Sequence, residues 1–152
     1  MKSGQVYRLV SAMFLHINFL HFFGNFVTTL IFLTRVEYSL GWIRTLIIYI
    51  LSGIGGNIFS NVTQTDDNIK AGASTALFGI IGIILGYVII NWRGLRVIGT
   101  LLKCQLLCIC MVIIMFIFIF TPGSTTNIDY LGHLGGFLTG FWLISINPTI
   151  LD

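Results

Sequence analysis

The charged residues of this chain are spaced so that they leave five charge-free runs. These are 9–34, 45–65, 71–92, 104–128 and 130–151, with lengths of 26, 21, 22, 25 and 22 residues. A helix that crosses a bilayer needs about 20 predominantly apolar residues, so each run can supply one crossing. Composition agrees: 9% of the 152 residues are charged and 56% are apolar, where soluble domains carry about 25% charge. Mean hydropathy is +0.96. A water-soluble globule is excluded. A transmembrane β-barrel is excluded as well, because its strands alternate apolar and polar over about 10 residues, whereas Met111–Phe120 is continuously apolar. A net charge of +3, scattered along the chain, does not make a nucleic-acid surface. Cys104, Cys108 and Cys110 share one apolar run and read as core or lipid-facing thiols rather than a disulfide framework.

The chain therefore reads as all-α, one polytopic membrane helix bundle over 1–152. Spans are predicted at about 18–36, 43–60, 72–91, 99–120 and 128–147. Connections are short; the longest, Asn61–Lys70, carries two Asp and a Lys and lies in water. Pro122-Gly123 marks the turn before the last span. Residues 1–17 precede the first span. Within them Val6, Val10, Met13, Phe14 and Ile17 recur at helical spacing, which fits an interfacial amphipathic segment; an extended polar lead-in fits equally well. Arg35 and Arg44 flank the first connection, and Arg93, Arg96 and Lys103 the third, against Lys2, Arg8 and Lys70 on the other side. An excess of Lys and Arg marks the cytoplasmic side, so the first set is placed there and the N-terminus and the Asn61–Lys70 loop outside.

Polar groups inside apolar runs are costly and tend to line a cavity or site. The three histidines, His16, His21 and His133, lie in or beside such runs, Asn25 follows His21 by one turn, and Ser74 lies near the start of the third span. Spans one, three and five all begin on the outer face. His21, Ser74 and His133 are each about three to six residues in, roughly 5–9 Å deep at 1.5 Å per residue. Groups far apart in sequence thus share one depth on one side.

That set suits acyl transfer. A serine hydroxyl becomes a nucleophile when an imidazole takes its proton, and the resulting oxyanion needs preorganised donors. Ser74 at a helix start has unsatisfied backbone N–H groups beside it, and Gly72 and Ala73 leave room for a substrate backbone. His21 and Asn25, four apart, project from one helix face and can donate to one oxygen. Asp129 is the only carboxylate near His133, one turn before it, so the pattern reads as a Ser–His dyad rather than a triad. Gly132, Gly136 and Gly140 on span five, and Gly79, Gly82 and Gly86 on span three, form small-residue stripes that let backbones approach in membranes. Contact between these spans would bring Ser74 to His133, with Phe78 one turn away to stack on the imidazole. Each feature also has a plain structural reading: a lone Ser caps a helix, glycine stripes pack, and His and Asn bond neighbouring helices. A bis-histidine metal or haem site is a further reading, but His16 and His21 are five apart, about 140° around a helix, a poor arrangement for one metal.

In these motifs the chain resembles the rhomboid family of intramembrane serine proteases. Gly72-Ala73-Ser74-Thr75 with Gly79 resembles the family's GxSG motif. Gly132-His133-Leu134-Gly135-Gly136 with Gly140 resembles its (A)HxGGxxxG motif, and His16 to Asn25 its HxxxxHxxxN segment. Tyr7-Arg8 and Glu37 with Gly41 resemble the family's first-loop pair and its ExxxG. The resemblance implies a Ser74 nucleophile, a His133 general base and acid, and an oxyanion hole of the Ser74 N–H, His21 and Asn25. It implies supporting roles for His16, Gly72, Phe78 and Gly136. The implied reaction is peptide-bond hydrolysis in or near the transmembrane segment of single-pass protein substrates. No cofactor, metal or nucleic acid is implied. Two departures stand out. Relative to the family's six-span core the chain is expected to lack the span before Gln5. The glycine after the serine is Thr75, whose β-branched side chain is expected to crowd the substrate or the contact between spans three and five. A rhomboid-like pseudoprotease, binding transmembrane clients without cutting them, is the alternative reading.

Overall fold

The computed structural model describes residues 4–64, 71–95 and 129–146, and these are helical throughout apart from short connections. The predicted span 99–120, the three cysteines, Pro122-Gly123 and most of the predicted outer loop lie outside the described residues.

The first residues form a short helix α1 (Arg8–Ser11) followed by a 3-10 turn at Ala12–Phe14. The helical reading of this segment holds only for these residues; Leu15 is already extended. Helix α2 (Phe19–Thr28) starts where the Asn18 side chain accepts a hydrogen bond from the His21 N–H at 2.8 Å, satisfying one of the orphan donors of a first turn. It runs through a π-helical turn, Thr29–Leu33, into α3 (Thr34–Leu40). Together these make one apolar helix of 22 residues, Phe19–Leu40, and α4 (Trp42–Thr63) makes a second of 22. The break between them is the single residue Gly41, at φ +78°, a conformation that favours glycine. The sequence placed Arg35 at the margin of the first connection, between spans at 18–36 and 43–60. In the structure the helix continues past it, and Arg35 and Glu37 lie inside α3. No backbone break is available before Gly41, so helix propagation carries the flanking charges with it.

Helix α5 (Ser74–Ile90) and the helix α7 (Tyr130–Ile146) have 17 residues each, with the short α6 (Trp92–Leu95) after α5. Helices α4, α5 and α7 pack on one another, α5 with α7 most extensively. Glycine sets the spacing of that contact. A Cβ on Gly140 would strike the Gly79 carbonyl, one on Gly82 the Phe137 carbonyl, and one on Gly136 the Thr75 carbonyl. The two glycine stripes read from the sequence therefore do face each other.

At the opposite end from Ser74 an aliphatic cluster of Val36, Leu40, Ile48, Ile80, Ile83 and Ile144 closes the bundle. It joins the α3–α4 junction to the middle of α5 and the last turns of α7. Arg35, Arg44 and Arg93 thus lie towards one end of the bundle. Phe19, Leu20, Phe23, Leu30, Ile47 and Trp142 are exposed, as a lipid-facing surface requires. Hydroxyls within the helices bond back to their own turns, Thr29 Oγ1 to the Asn25 carbonyl and Thr139 Oγ1 to the Gly135 carbonyl, both at 2.8 Å. No water is needed to satisfy them.

Candidate active site

The backbone before α5 is shaped by Gly72, whose φ of +144° lies where side chains are strained. A Cβ there would also lie 2.7 Å from His21 Cε1 and 3.4 Å from Ser74 Oγ. Gly72 is therefore the point at which the start of α5 meets the imidazole of α2. Its N–H donates to the Ala12 carbonyl at 2.9 Å, which fixes the turn to the N-terminal segment. That segment is anchored twice more. Met13, 1% exposed, fills the space that Gly53 leaves open, and Asn57 Nδ2 donates to the Leu9 carbonyl at 2.8 Å.

Ser74 is the first residue of α5, slightly nearer the helix end than the sequence estimate. Its Oγ lies 2.7 Å from His133 Nε2, across 59 residues of sequence and the glycine-lined α5–α7 contact. A bond donated by Oγ places the imidazole proton on Nδ1. That atom is buried and makes no hydrogen bond among the described residues. What holds the ring instead is Phe78, stacked on it with centroids 4.4 Å apart and planes at 6°. Phe78 reaches it because it lies one helical turn after Ser74 on the same face.

His21 and Asn25 are on consecutive turns of α2. Asn25 is buried, and its Nδ2 donor makes no hydrogen bond among the described residues. An orphan amide donor in an apolar setting is costly and is what an oxyanion pocket holds ready. His16 sits edge-on to His21 with ring centroids 5.5 Å apart, and edge-on to Phe22 at 5.3 Å. It therefore backs the His21 ring rather than reaching Ser74. Gly136 admits the Thr75 carbonyl.

The Thr75 side chain does enter the contact with the last span, as its β-branch suggested, and glycines on two helices make room for it. Its Cγ2 points into the interface of α4 and α7, against the open face of Gly56 and 3.5 Å from the Cβ position of Gly136. The residue is 5% exposed.

Sequence reasoning overlooked α4. Ser52, Gly56 and Ser60 are all buried, and Ser52 occupies the space beside Gly79 while Gly56 meets Thr75 and Gly132. Their spacing, every fourth residue, is the signal that was read on span five, and close to the three-and-four spacing read on span three. Ser60 Oγ in addition donates to Asp129 Oδ1 at 2.5 Å.

A membrane helix bundle with a serine and a histidine paired at one end defines a class of intramembrane proteins, and comparison with known proteins narrows it. Residues 3–147 match the Rhomboid domain family. The chain is similar to RHOMBOID-like protein 5 of Arabidopsis thaliana, with 32% identity over 143 residues, 93% of this chain and 44% of the relative. It is 36% identical over 140 residues to Rhomboid-like protease 1 of Toxoplasma gondii, covering 92% of this chain and 46% of that protein. With Rhomboid-like protease 2 of the same organism it shares 31% over 158 residues, 99% and 53% respectively. The chain belongs to the rhomboid family and is an integral, polytopic membrane protein. It spans about half the length of the curated relatives it matches.

Proposed function

We propose that this chain is an intramembrane serine endopeptidase that cuts single-pass transmembrane proteins in or near their membrane segments. The observation that carries this reading is the 2.7 Å contact of Ser74 Oγ with His133 Nε2, with the ring held by Phe78. In this reading Ser74 Oγ attacks the scissile carbonyl carbon and its proton passes to His133 Nε2. The oxyanion is received by the Ser74 N–H, the His21 imidazole and Asn25 Nδ2. His133 then protonates the leaving amine, and a water activated by the same nitrogen releases the acyl group from Ser74. The reaction uses no metal, cofactor or nucleic acid.

Residues 1–152 form one membrane domain in this reading. Helices of 17 residues span about 26 Å, less than the roughly 30 Å of a hydrocarbon core. This supports a site sunk below the membrane surface, towards the non-cytoplasmic face if Arg35, Arg44 and Arg93 are cytoplasmic. The pseudoprotease alternative drew in part on crowding by Thr75, and a side chain accommodated by Gly56 and Gly136 weakens that part of it.

A fluorophosphonate probe is expected to label the chain at Ser74, and a reporter single-pass protein to be cleaved. Ser74→Ala and His133→Ala are each expected to end cleavage. Full cleavage by the Ser74→Ala protein would overturn the proposal, and client binding without turnover by the unaltered chain would favour the pseudoprotease.

A further inference from the structure

The general base of a dyad has no third residue to orient it, so its position depends on the helix that carries it. Around the start of that helix one carboxylate makes two connections. Asp129 Oδ1 accepts a hydrogen bond from the Gly132 N–H at 2.9 Å, capping α7. The same oxygen accepts from Ser60 Oγ of α4 at 2.5 Å, the short separation expected of a hydroxyl bonded to a carboxylate. The Asp129 backbone carbonyl accepts the His133 N–H at 3.0 Å. Ser60 is 0% exposed, and its hydroxyl also lies 3.3 Å from Gln64 Oε1. A Cβ on residue 132 would fall on the Asp129 carboxylate, so the glycine immediately before His133 leaves that carboxylate its route to Ser60.

We propose that Asp129 is a positioning residue: its carboxylate ties the first turn of α7 to Ser60 on α4 and so sets the height and rotation of the His133 ring opposite Ser74. Among the described residues the carboxylate makes no bond to His133 Nδ1, so it acts through the backbone of Gly132 and His133. The requirement is for an acceptor oxygen at that place rather than for a charge. The inference rests on the protease reading and adds a residue to it that the dyad does not contain.

The test uses the full chain in detergent with Asp129→Ala, Asp129→Asn, Ser60→Ala and the Ser60→Ala/Asp129→Ala pair. Misplacing a general base by a fraction of an ångström to an ångström is expected to lower kcat by about 10- to 100-fold, with KM within about twofold. Asp129→Asn keeps an oxygen for Ser60 and Gly132, and Asn caps as well as Asp, so kcat is expected within about threefold of the unaltered chain. Thermal unfolding provides a reading that does not depend on turnover. The double substitution is expected to lower the midpoint no further than the larger single one, as for two groups of one interaction. Unchanged kcat in Asp129→Ala overturns the proposal. So does an Asn variant as slow as the Ala variant, which would assign the effect to charge, and so do additive shifts in unfolding. An unaltered chain that neither labels nor cleaves is instead a failure of the protease reading, and the unfolding cycle then still decides the tether.

Discussion

At Ser74 the hydroxyl faces His133 Nε2 at 2.7 Å, and on the far side of Gly72 the His21 imidazole approaches the same turn. Asn25 contributes a buried donor that bonds nothing described. A group left unpaired in the resting protein and paired only with a developing oxyanion stabilises the transition state selectively. Asn25→Ala is therefore expected to reduce kcat by about 10²–10³-fold, the usual cost of removing one oxyanion donor, while labelling by a fluorophosphonate slows and KM changes little. Steady-state cleavage of a reporter substrate checks this. A KM effect alone would assign Asn25 to substrate binding instead. All of these residue types were visible in the sequence, because polar groups in charge-free runs are rare and His21, Ser74 and His133 shared a depth. The direction of the Thr75 side chain was not visible: a β-branch beside a nucleophile crowds it or not according to which neighbouring helices carry glycine.

At the scale of elements, the contact of α5 with α7 does the work of bringing the dyad together. Backbones in membranes approach through small residues because lipid gives no hydrophobic drive to association. Gly140→Ala would place a methyl on the Gly79 carbonyl, and overpacking of that kind costs about 1–3 kcal/mol or more. Gly24 on α2 has nothing within 4 Å of its Cβ position, and Gly→Ala within a helix gains up to about 1 kcal/mol. Thermal unfolding of the two variants in one detergent is expected to move in opposite directions. Equal loss in both would mean that the glycine stripe does not set the packing. The stripes on spans three and five were legible as glycines three or four apart; the third, on α4, required the structure to show which face of that helix is buried.

Across the whole molecule, the aliphatic cluster and the arginines mark one end and the paired serine and histidine the other. Positive charge predicts that the arginine end is cytoplasmic. Tyr38, 94% exposed on α3, and Val62, 78% exposed near the end of α4, report on the two ends. In a chain with Cys104, Cys108 and Cys110 replaced, an impermeant thiol reagent applied to intact cells is expected to label Val62→Cys and to spare Tyr38→Cys until the membrane is opened. The reverse pattern would put the site on the cytoplasmic side.

The sequence by itself determined the solvent of this protein and the inventory of its site. Runs of 21–26 residues without charge leave backbone groups no partner in lipid except their own helix, and so few polar residues remain that the chemically useful ones stand out. The start of the first span followed from the sequence, beside Asn18, whereas its end did not, because the helix runs past the predicted 36 to Gly41. Only the tertiary structure decided which faces meet. Periodicity places a residue on a helix but not opposite a neighbour. The Ser74–His133 contact, the inward turn of Thr75 and the Ser60–Asp129 bond each join helices far apart in sequence, and their geometry is set by how closely glycine lets those helices approach.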